Sequence, residues 1–590
     1  CNSLCPVPAV YRQDLYFMPG NRLFAVMVAV CCVVGGIFPA SAPASHVQEM
    51  SSLSEQVEEN IRSRVQARPF SCHKELICGV KALPAVYAQR GYRPLWGLER
   101  GNWASAQSML VCIRDSVRQA MNPADYHLHV LDDLLTGFKQ NWPILDPREV
   151  ADADILLTDA FLTLAGHLRA GRVNPETLHS SWVADVHAPD FRASLKRGLA
   201  KKSLCRELYN HLPPHTGYNK LRRAWESYAQ IARFGGWPRV PAGEKLEPGD
   251  EDERVLALGL HLAVTGDLPL DRRTVVNRSF TSGLEEAVRK FQDRHGLRVD
   301  GIVGPNTLAA LNVSAKDRAR QLAVNLERWR WVPRHFGTPH VRVNVANFSL
   351  VMRRDDGSEI RQRVIVGKTA RRTPVFSDRI TYLVLNPAWN VPRSIMIKDI
   401  LPKVIKDPSY LEKHSMTLLS GWGEEAREID PQSIEWDSVL PRSFPYRLRQ
   451  EPGPHNALGR IKFMFPNPFA VYVHDSPHKN LFERVTRDFS SGCIRVEHPL
   501  PLALALLEPE EDWDEKALRT ALQSGRTRKI RLSRPVPVHL LYWTAWVDAD
   551  REVNFREDIY HRDGKLRAAL SNRIPPGIEV TDMSLSVVNN

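Results

Sequence analysis

Much that would point to a common enzyme class is missing from these 590 residues. There is no zinc-finger spacing, no RNA-binding signature and no phosphate-cradling glycine loop followed by a lysine, so a nucleic-acid or nucleotide reading lacks support. Charged residues at 25% and hydrophobic residues at 43% are ordinary globular values and exclude disordered, collagen-like and polytopic membrane chains. The apolar run Leu23–Phe38 falls short of the roughly 20 residues a spanning helix needs. Flanked by Arg22 and by Ala42-Pro43-Ala44, it reads as an export signal, with an uncleaved membrane anchor as the alternative. The chain opens with Cys1, and Met18 is the expected start of a short basic leader. Residues 1–44 are therefore set apart from the fold.

Acidic residues are also in deficit, 67 against 79 basic ones, for a net charge of +12. Such a balance favours an anionic partner: nucleic acid, anionic lipid or a carboxylate-rich polymer. Cysteine is sparse. Of nine, Cys1, Cys5, Cys31 and Cys32 lie in or before the apolar segment, leaving Cys72, Cys78, Cys112, Cys205 and Cys493. In an oxidising compartment the first four of these can pair in three ways, and Cys493 stands alone as a buried apolar residue or a reactive thiol.

The stretch 50–235 has helical periodicity. Ile155, Leu156, Ala160, Leu162 and Leu164 share a helix that stops at Gly171, giving a helical scaffold over 45–250 with no evident chemistry. Pro, Gly and charge over 235–251 predict a linker. From 255 to 315 a small three-helix unit is expected: Leu284, Ala287, Val288 and Phe291 form one apolar face ending near Gly296, and Pro305 opens a short helix with Leu308 and Leu311. From about 340 the period changes to two. Residues 341–352, 362–367, 380–386 and 469–475 read as strands, with 402–450 as an insertion of the kind that forms a lid. The fold class is α+β: a mainly β domain over 338–545, the three-helix module, the helical scaffold, and a C-terminal segment 546–590.

Chemistry concentrates in 471–507. Tyr472 and His474 alternate onto one face of a strand. Nineteen residues after His474 comes Ser490-Ser491-Gly492-Cys493-Ile494-Arg495. Gly492 permits a sharp bend, so the amides of Ser491, Gly492 and Cys493 can converge as an oxyanion hole. A thiol becomes a nucleophile as its thiolate, and His474 is the candidate base that would lower the Cys493 pKa. Arg495, two positions on, is suited to a substrate carboxylate, with Tyr472 and Ser490 as further substrate contacts. Lys462 and Arg460 read as solvated surface charges.

Two stretches carry a family resemblance. Residues 287–312, AVRKFQDRHGLRVDGIVGPNTLAALN, resemble the peptidoglycan-binding module of wall enzymes. The strand end His474-Asp475-Ser476-Pro477 and the loop SSGCIRVEHP (490–499) resemble the L,D-transpeptidase catalytic domain, in the version of the large Gram-negative members that carry such a module. NLERWRWVP (325–333), VGKTARRTPVFSD (366–378), LVLNPAWNVPRSI (383–395), PGPHNALGRIKFMFPN (452–467) and 542–566 extend the likeness. Ser491 occupies the position where many small members have His, which excludes any mechanism needing a second histidine in that loop. The resemblance implies a periplasmic acyltransferase with no metal and no cofactor. Its partners would be peptidoglycan tetrapeptide stems and not nucleic acid, with inner-membrane association if the apolar segment is retained and a carbapenem as inhibitor. Alternatives that keep the same acyl-enzyme are an L,D-carboxypeptidase and a lipoprotein-to-wall ligase; a non-catalytic wall-binding scaffold abandons it.

Overall fold

The computed structural model describes residues 44–571 apart from 68–71, 74, 185–188, 270–275 and 422. The chain divides into two compact units, Cys1–Ser51 and Ser52–Asn590; of the first, the described part is the start of the helix Ala44–Gln66. The choice between cleavage and anchoring at Leu23–Phe38 lies outside the described residues. Among those described, no helix is long and apolar enough to cross a membrane.

The scaffold is built around the helix Pro147–Ala170. Asp146 caps its start through the Arg148 amide, and it stops at Gly171, whose φ of +83° is a glycine conformation. The sequence predicts one apolar stripe here, but the helix is buried on nearly every side because neighbouring helices wrap it. Its polar residues are therefore spent inside. Asp154 accepts from the Leu95 and Trp96 amides and the Tyr87 hydroxyl at 2.9, 3.0 and 2.7 Å, and Asp159 from the Gly79 amide at 2.6 Å and His127 Nε2 at 2.8 Å. These carboxylates tie flanking loops to the core. Of the cysteine pairings left open, the fold makes Cys112–Cys205; Cys72 and Cys78 are buried thiols.

Helices Glu253–Thr265, Ser282–Arg294 and Pro305–Leu311 form the small module, with Leu284, Ala287, Val288 and Phe291 in its core. Gln292 explains the sequence pattern around it: its Nε2 donates to Asp300, the Ile302 carbonyl and Thr307, pinning the turn. The expected linker over 235–251 is a correction. Val240 and Leu246 are buried in the module core, and Asn312 pairs with the Val240 main chain at 3.0 and 2.9 Å, so this segment belongs to the module despite its Pro and Gly.

The β region is a closed eight-stranded barrel. Around it run His340–Asn344, Arg528–Leu541, Phe376–Leu385, Ile461–Met464, Val473–His474, Ile494–Val496, Glu359–Ile365 and Ser349–Arg353. Alternation sends Val341, Val343, Leu383, Phe463, Val473, Ile494 and Val496 into the core. The strand pair that matters is Val473–His474 beside Ile494–Val496, parallel, with Val473 opposite Ile494 and His474 opposite Arg495. Between the barrel strands 376–385 and 461–464 lies a subdomain with its own core (Met396, Leu401, Leu418, Trp436, Phe444) and a four-stranded sheet that starts at Trp389 and ends at Gln450. The insertion thus begins at about 389 and not at 402. The segment after 545 is no separate tail either: Tyr560 is fully buried in the barrel core, and Tyr542 donates to Asp558 at 2.6 Å.

Candidate active site

Parallel pairing places Tyr472, His474, Cys493 and Arg495 on one outward face. The core residues Val473, Ile494 and Val496 point inward, so their neighbours in sequence point out. The Ile494 amide donates to the Tyr472 carbonyl at 3.0 Å, which sets Tyr472 beside Cys493. His474 and Cys493 are then diagonal neighbours with Cα atoms about 8 Å apart, by a strand spacing of about 4.8 Å and a two-residue rise of about 6.6 Å. Lys462 joins from the other side, where its strand pairs with His474.

Burial and charge decide the resting protonation. The His474 ring packs edge-on to Tyr472 at 5.5 Å, and its Nδ1 is buried with no hydrogen-bond partner among the described residues. Burial lowers its pKa to about 3, and Arg495 and Lys462 on either side add to the effect. Burial raises the Cys493 thiol, opposed by contacts with the Tyr472 main chain and hydroxyl and by the charge of Lys462. Both shifts run toward neutral thiol and neutral imidazole, against the expectation of a thiol pulled below neutrality by His474, because burial and two neighbouring cations disfavour a charged imidazole.

Lys462 is a second correction. Its ammonium lies 3.8 Å from the Tyr472 ring centroid, and burial lowers its pKa, so it is not a solvated surface charge. Arg460 remains exposed, but its guanidinium is bound to the Leu522 carbonyl and its amide donates to Asp475 at 2.9 Å.

The cysteine loop is built from the inside. Ser490 is buried, its hydroxyl donating to the Cys493 carbonyl at 2.5 Å and accepting from the Gly492 amide at 3.1 Å. That replaces two expectations: Ser490 holds the loop and does not face a substrate, and the Gly492 amide is engaged. The Ser491 and Cys493 amides form no hydrogen bond among the described residues, so of the three expected oxyanion donors these two are free to donate. Gly492 has φ of +117°, which a side chain would strain. Behind it, Thr373 Oγ1 donates to the Gly492 carbonyl and accepts from the Gly367 amide, both at 2.9 Å, while Tyr560 bonds the Gly367 carbonyl and the Thr373 amide.

Three residues that sequence reasoning gave no role link the 389–450 subdomain to this loop. Arg371 Nη1 donates to Ser491 Oγ at 2.8 Å and its guanidinium grips Asp399 with both ends. Trp389 and Cys493 both lie within electrostatic reach of the Tyr472 side chain. Both Arg371 and Trp389 lie in stretches that carry the family resemblance, so that signal covered them without naming them. Among the described residues no cluster of His, Cys, Asp and Glu could hold a metal.

Residues 338–509 match the family described as "L,D-transpeptidase catalytic domain", 255–311 match "Putative peptidoglycan binding domain" and 81–224 match "Scaffold domain". A relative from Haemophilus influenzae named "Putative L,D-transpeptidase" is 39% identical over 254 residues, which is 43% of this chain and 50% of that protein. The chain thus spans about half the length of the curated relative it matches. The solved L,D-transpeptidase (residues 123-326) from Xylanimonas cellulosilytica is 17% identical over 51% of this chain and 98% of its own, with a TM-score of 0.15, too low to bear on the fold.

Proposed function

Since this chain carries an L,D-transpeptidase catalytic domain beside a peptidoglycan-binding domain, we propose that it is a periplasmic L,D-transpeptidase that cross-links peptidoglycan stems through a thioester on Cys493. Cys493 Sγ attacks the carbonyl that joins the L-centre of diaminopimelate to the terminal D-Ala of a tetrapeptide stem. Neutral His474 takes the thiol proton as the S–C bond forms, and the oxyanion rests on the Ser491 and Cys493 amides. The C–N bond then breaks, the proton passes from His474 to the departing D-Ala amine, and the thioester remains. The side-chain amine of a second stem attacks that thioester, gives its proton to His474 and releases the thiol. Arg495 and Lys462 offer cations to stem carboxylates.

The observation that carries this reading is the shared outward face of Tyr472, His474, Cys493 and Arg495, with the 389–450 subdomain tied to the cysteine loop by Asp399 through Arg371. A subdomain held there favours amine over water as acceptor by restricting access to the thioester. Disaccharide-tetrapeptides incubated with wild type and with Cys493→Ala, with products read by mass spectrometry, test it. Loss of D-Ala together with a dimer joined through two diaminopimelates is expected from wild type alone. Trimmed monomer without dimer would make it a carboxypeptidase, and no change in either sample would leave only the scaffold reading. A carbapenem should add its mass to wild type and not to Cys493→Ala.

A further inference from the structure

A second groove, of about 800 Å³, lies where the helix Thr216–Arg233, the segment 334–338 and the barrel strands 340–344, 349–353 and 359–365 meet. Its volume is that of a ligand site, and its walls are half polar in character. Two features of the side chains stand out. Arg342, Arg353 and Arg361 share the single carboxylate of Glu359, at 3.6, 3.7 and 2.5 Å. Among the described residues Lys220 and Arg334, also on the wall, bind only main-chain carbonyls, Lys220 those of Asp548 and Ala549 and Arg334 those of Asn210, His211 and Leu212, while the other wall carboxylate, Asp548, accepts from the Glu552 amide and Asn554. The groove therefore holds several cations in excess. Arg342 feels this: burial and its cationic neighbours lower its pKa. The second feature is a rigid base: Trp329, Trp543 and Phe336 are buried behind the groove, Trp329 stacked on Trp543 at 4.2 Å and Phe336 on His215 at 4.5 Å.

We infer that this groove binds a peptidoglycan chain bearing uncross-linked stems, the arginines taking stem carboxylates. The inference rests on the wall-acting reading above for the identity of the polymer. Guanidinium forks suit carboxylates bidentately. The strand geometry connects the two sites. Arg361 stands six positions before Gly367 on a strand whose neighbour carries Arg495, and Gly367 bridges Ser490 in the cysteine loop. At about 3.3 Å per residue Arg361 lies about 20 Å along the barrel wall from the cysteine loop, with Arg353 and Arg342 on the next two strands beyond it. A single stem in the catalytic pocket leaves the groove empty, whereas a chain of several repeats reaches both. The groove also gives the scaffold a task, because the helix Thr216–Arg233 supplies one wall and brings Lys220 to it.

The test uses the full chain with Cys493→Ala, so that no ligand is consumed, and measures its affinity for glycan chains carrying tetrapeptide stems in the presence of saturating monomeric disaccharide-tetrapeptide. Arg353 and Arg361 are exposed, so Arg353→Gln with Arg361→Gln leaves the fold intact, which circular dichroism verifies. The double variant should bind these chains at least fivefold more weakly, the Lys/Lys double variant should recover part of the loss, and chains stripped of stems should bind equally to all. Equal affinity of the Gln variant for stem-bearing chains would overturn the inference. So would duplex DNA or polyglutamate binding as tightly as the stem-bearing chain, which would make the groove a general polyanion site. Wild type that makes no dimer while the arginine dependence persists would sink the proposed activity and leave the groove standing.

Discussion

Replacing Lys462 by Met should raise the pKa of the Cys493 thiol by about one unit. The ammonium sits on the Tyr472 ring, and its charge favours the Cys493 thiolate through a partly dry path. Coulomb's law for an illustrative separation of about 6 Å gives about 3 kcal/mol at an effective dielectric of about 20 and about 0.7 kcal/mol in bulk water. A half-buried site falls between, and about 1.4 kcal/mol is one pKa unit. The sign follows from the charge: the ammonium favours the thiolate, so its loss raises the pKa and cuts the thiolate fraction about tenfold at pH below it. Iodoacetamide alkylation of Cys493, followed by intact mass from pH 6 to 11, reads the shift directly, and Lys462→Arg should restore the wild-type curve. An unchanged or lowered pKa in Lys462→Met would refute the electrostatic account. His474→Gln provides the second arm. A neutral imidazole carries no charge at rest, so this variant should leave the alkylation pKa within about half a unit. A rise of several units would mean that the resting pair is thiolate and imidazolium after all.

Four further outcomes are expected. Asp399→Asn or Arg371→Gln breaks the two-ended ion pair that holds the 389–450 subdomain against Ser491; an interaction of about 1 kcal/mol predicts roughly a fivefold rise in hydrolysed monomer relative to dimer, seen in the same mass-spectrometric assay. Burial works to lower the pKa of His127, but Asp159 and Glu75 outweigh it and hold it at about 9, above the unfolded value near 6.5. The stabilisation this gives is complete below about pH 6.5 and lost as pH rises through 9, so melting temperature should fall over that window, and His127→Gln should flatten the profile. Cys112→Ser with Cys205→Ser opens a crosslink across 93 residues and should cost about 2–4 kcal/mol in urea unfolding. Tyr560→Phe removes the hydroxyl that joins Gly367 to Thr373 and should slow acylation of Cys493 by a carbapenem while costing about 1–3 kcal/mol of stability.

The sequence was most legible where one periodicity dominates. Leu284, Ala287, Val288 and Phe291 announce their helix because one face of it meets a core and the other meets water. The helix Pro147–Ala170 has the right caps but a misleading stripe, since a helix wrapped on all sides hides polar residues that pattern alone assigns to solvent. The strand Arg528–Leu541 escaped notice because it breaks register at Arg531/Val536, with Pro535 and Pro537 interrupting the expected alternation. Lys462 read as surface for a related reason: strand alternation points it out of the barrel, and only tertiary packing beside the Tyr472 ring removes it from water.

What the amino-acid order determined by itself is local chemistry. A lone cysteine after Gly492, a histidine and a tyrosine two apart, and an arginine two beyond the cysteine each sit where strand alternation puts them on one side, whatever the rest of the fold does. What only the tertiary structure decided is their state. Which strand lies beside which, how dry the face becomes under residues 389–450, and which cations flank His474 fix whether a proton sits on sulfur or on nitrogen. Those are properties of distances and solvent exposure between segments far apart in the chain, and no local pattern encodes them.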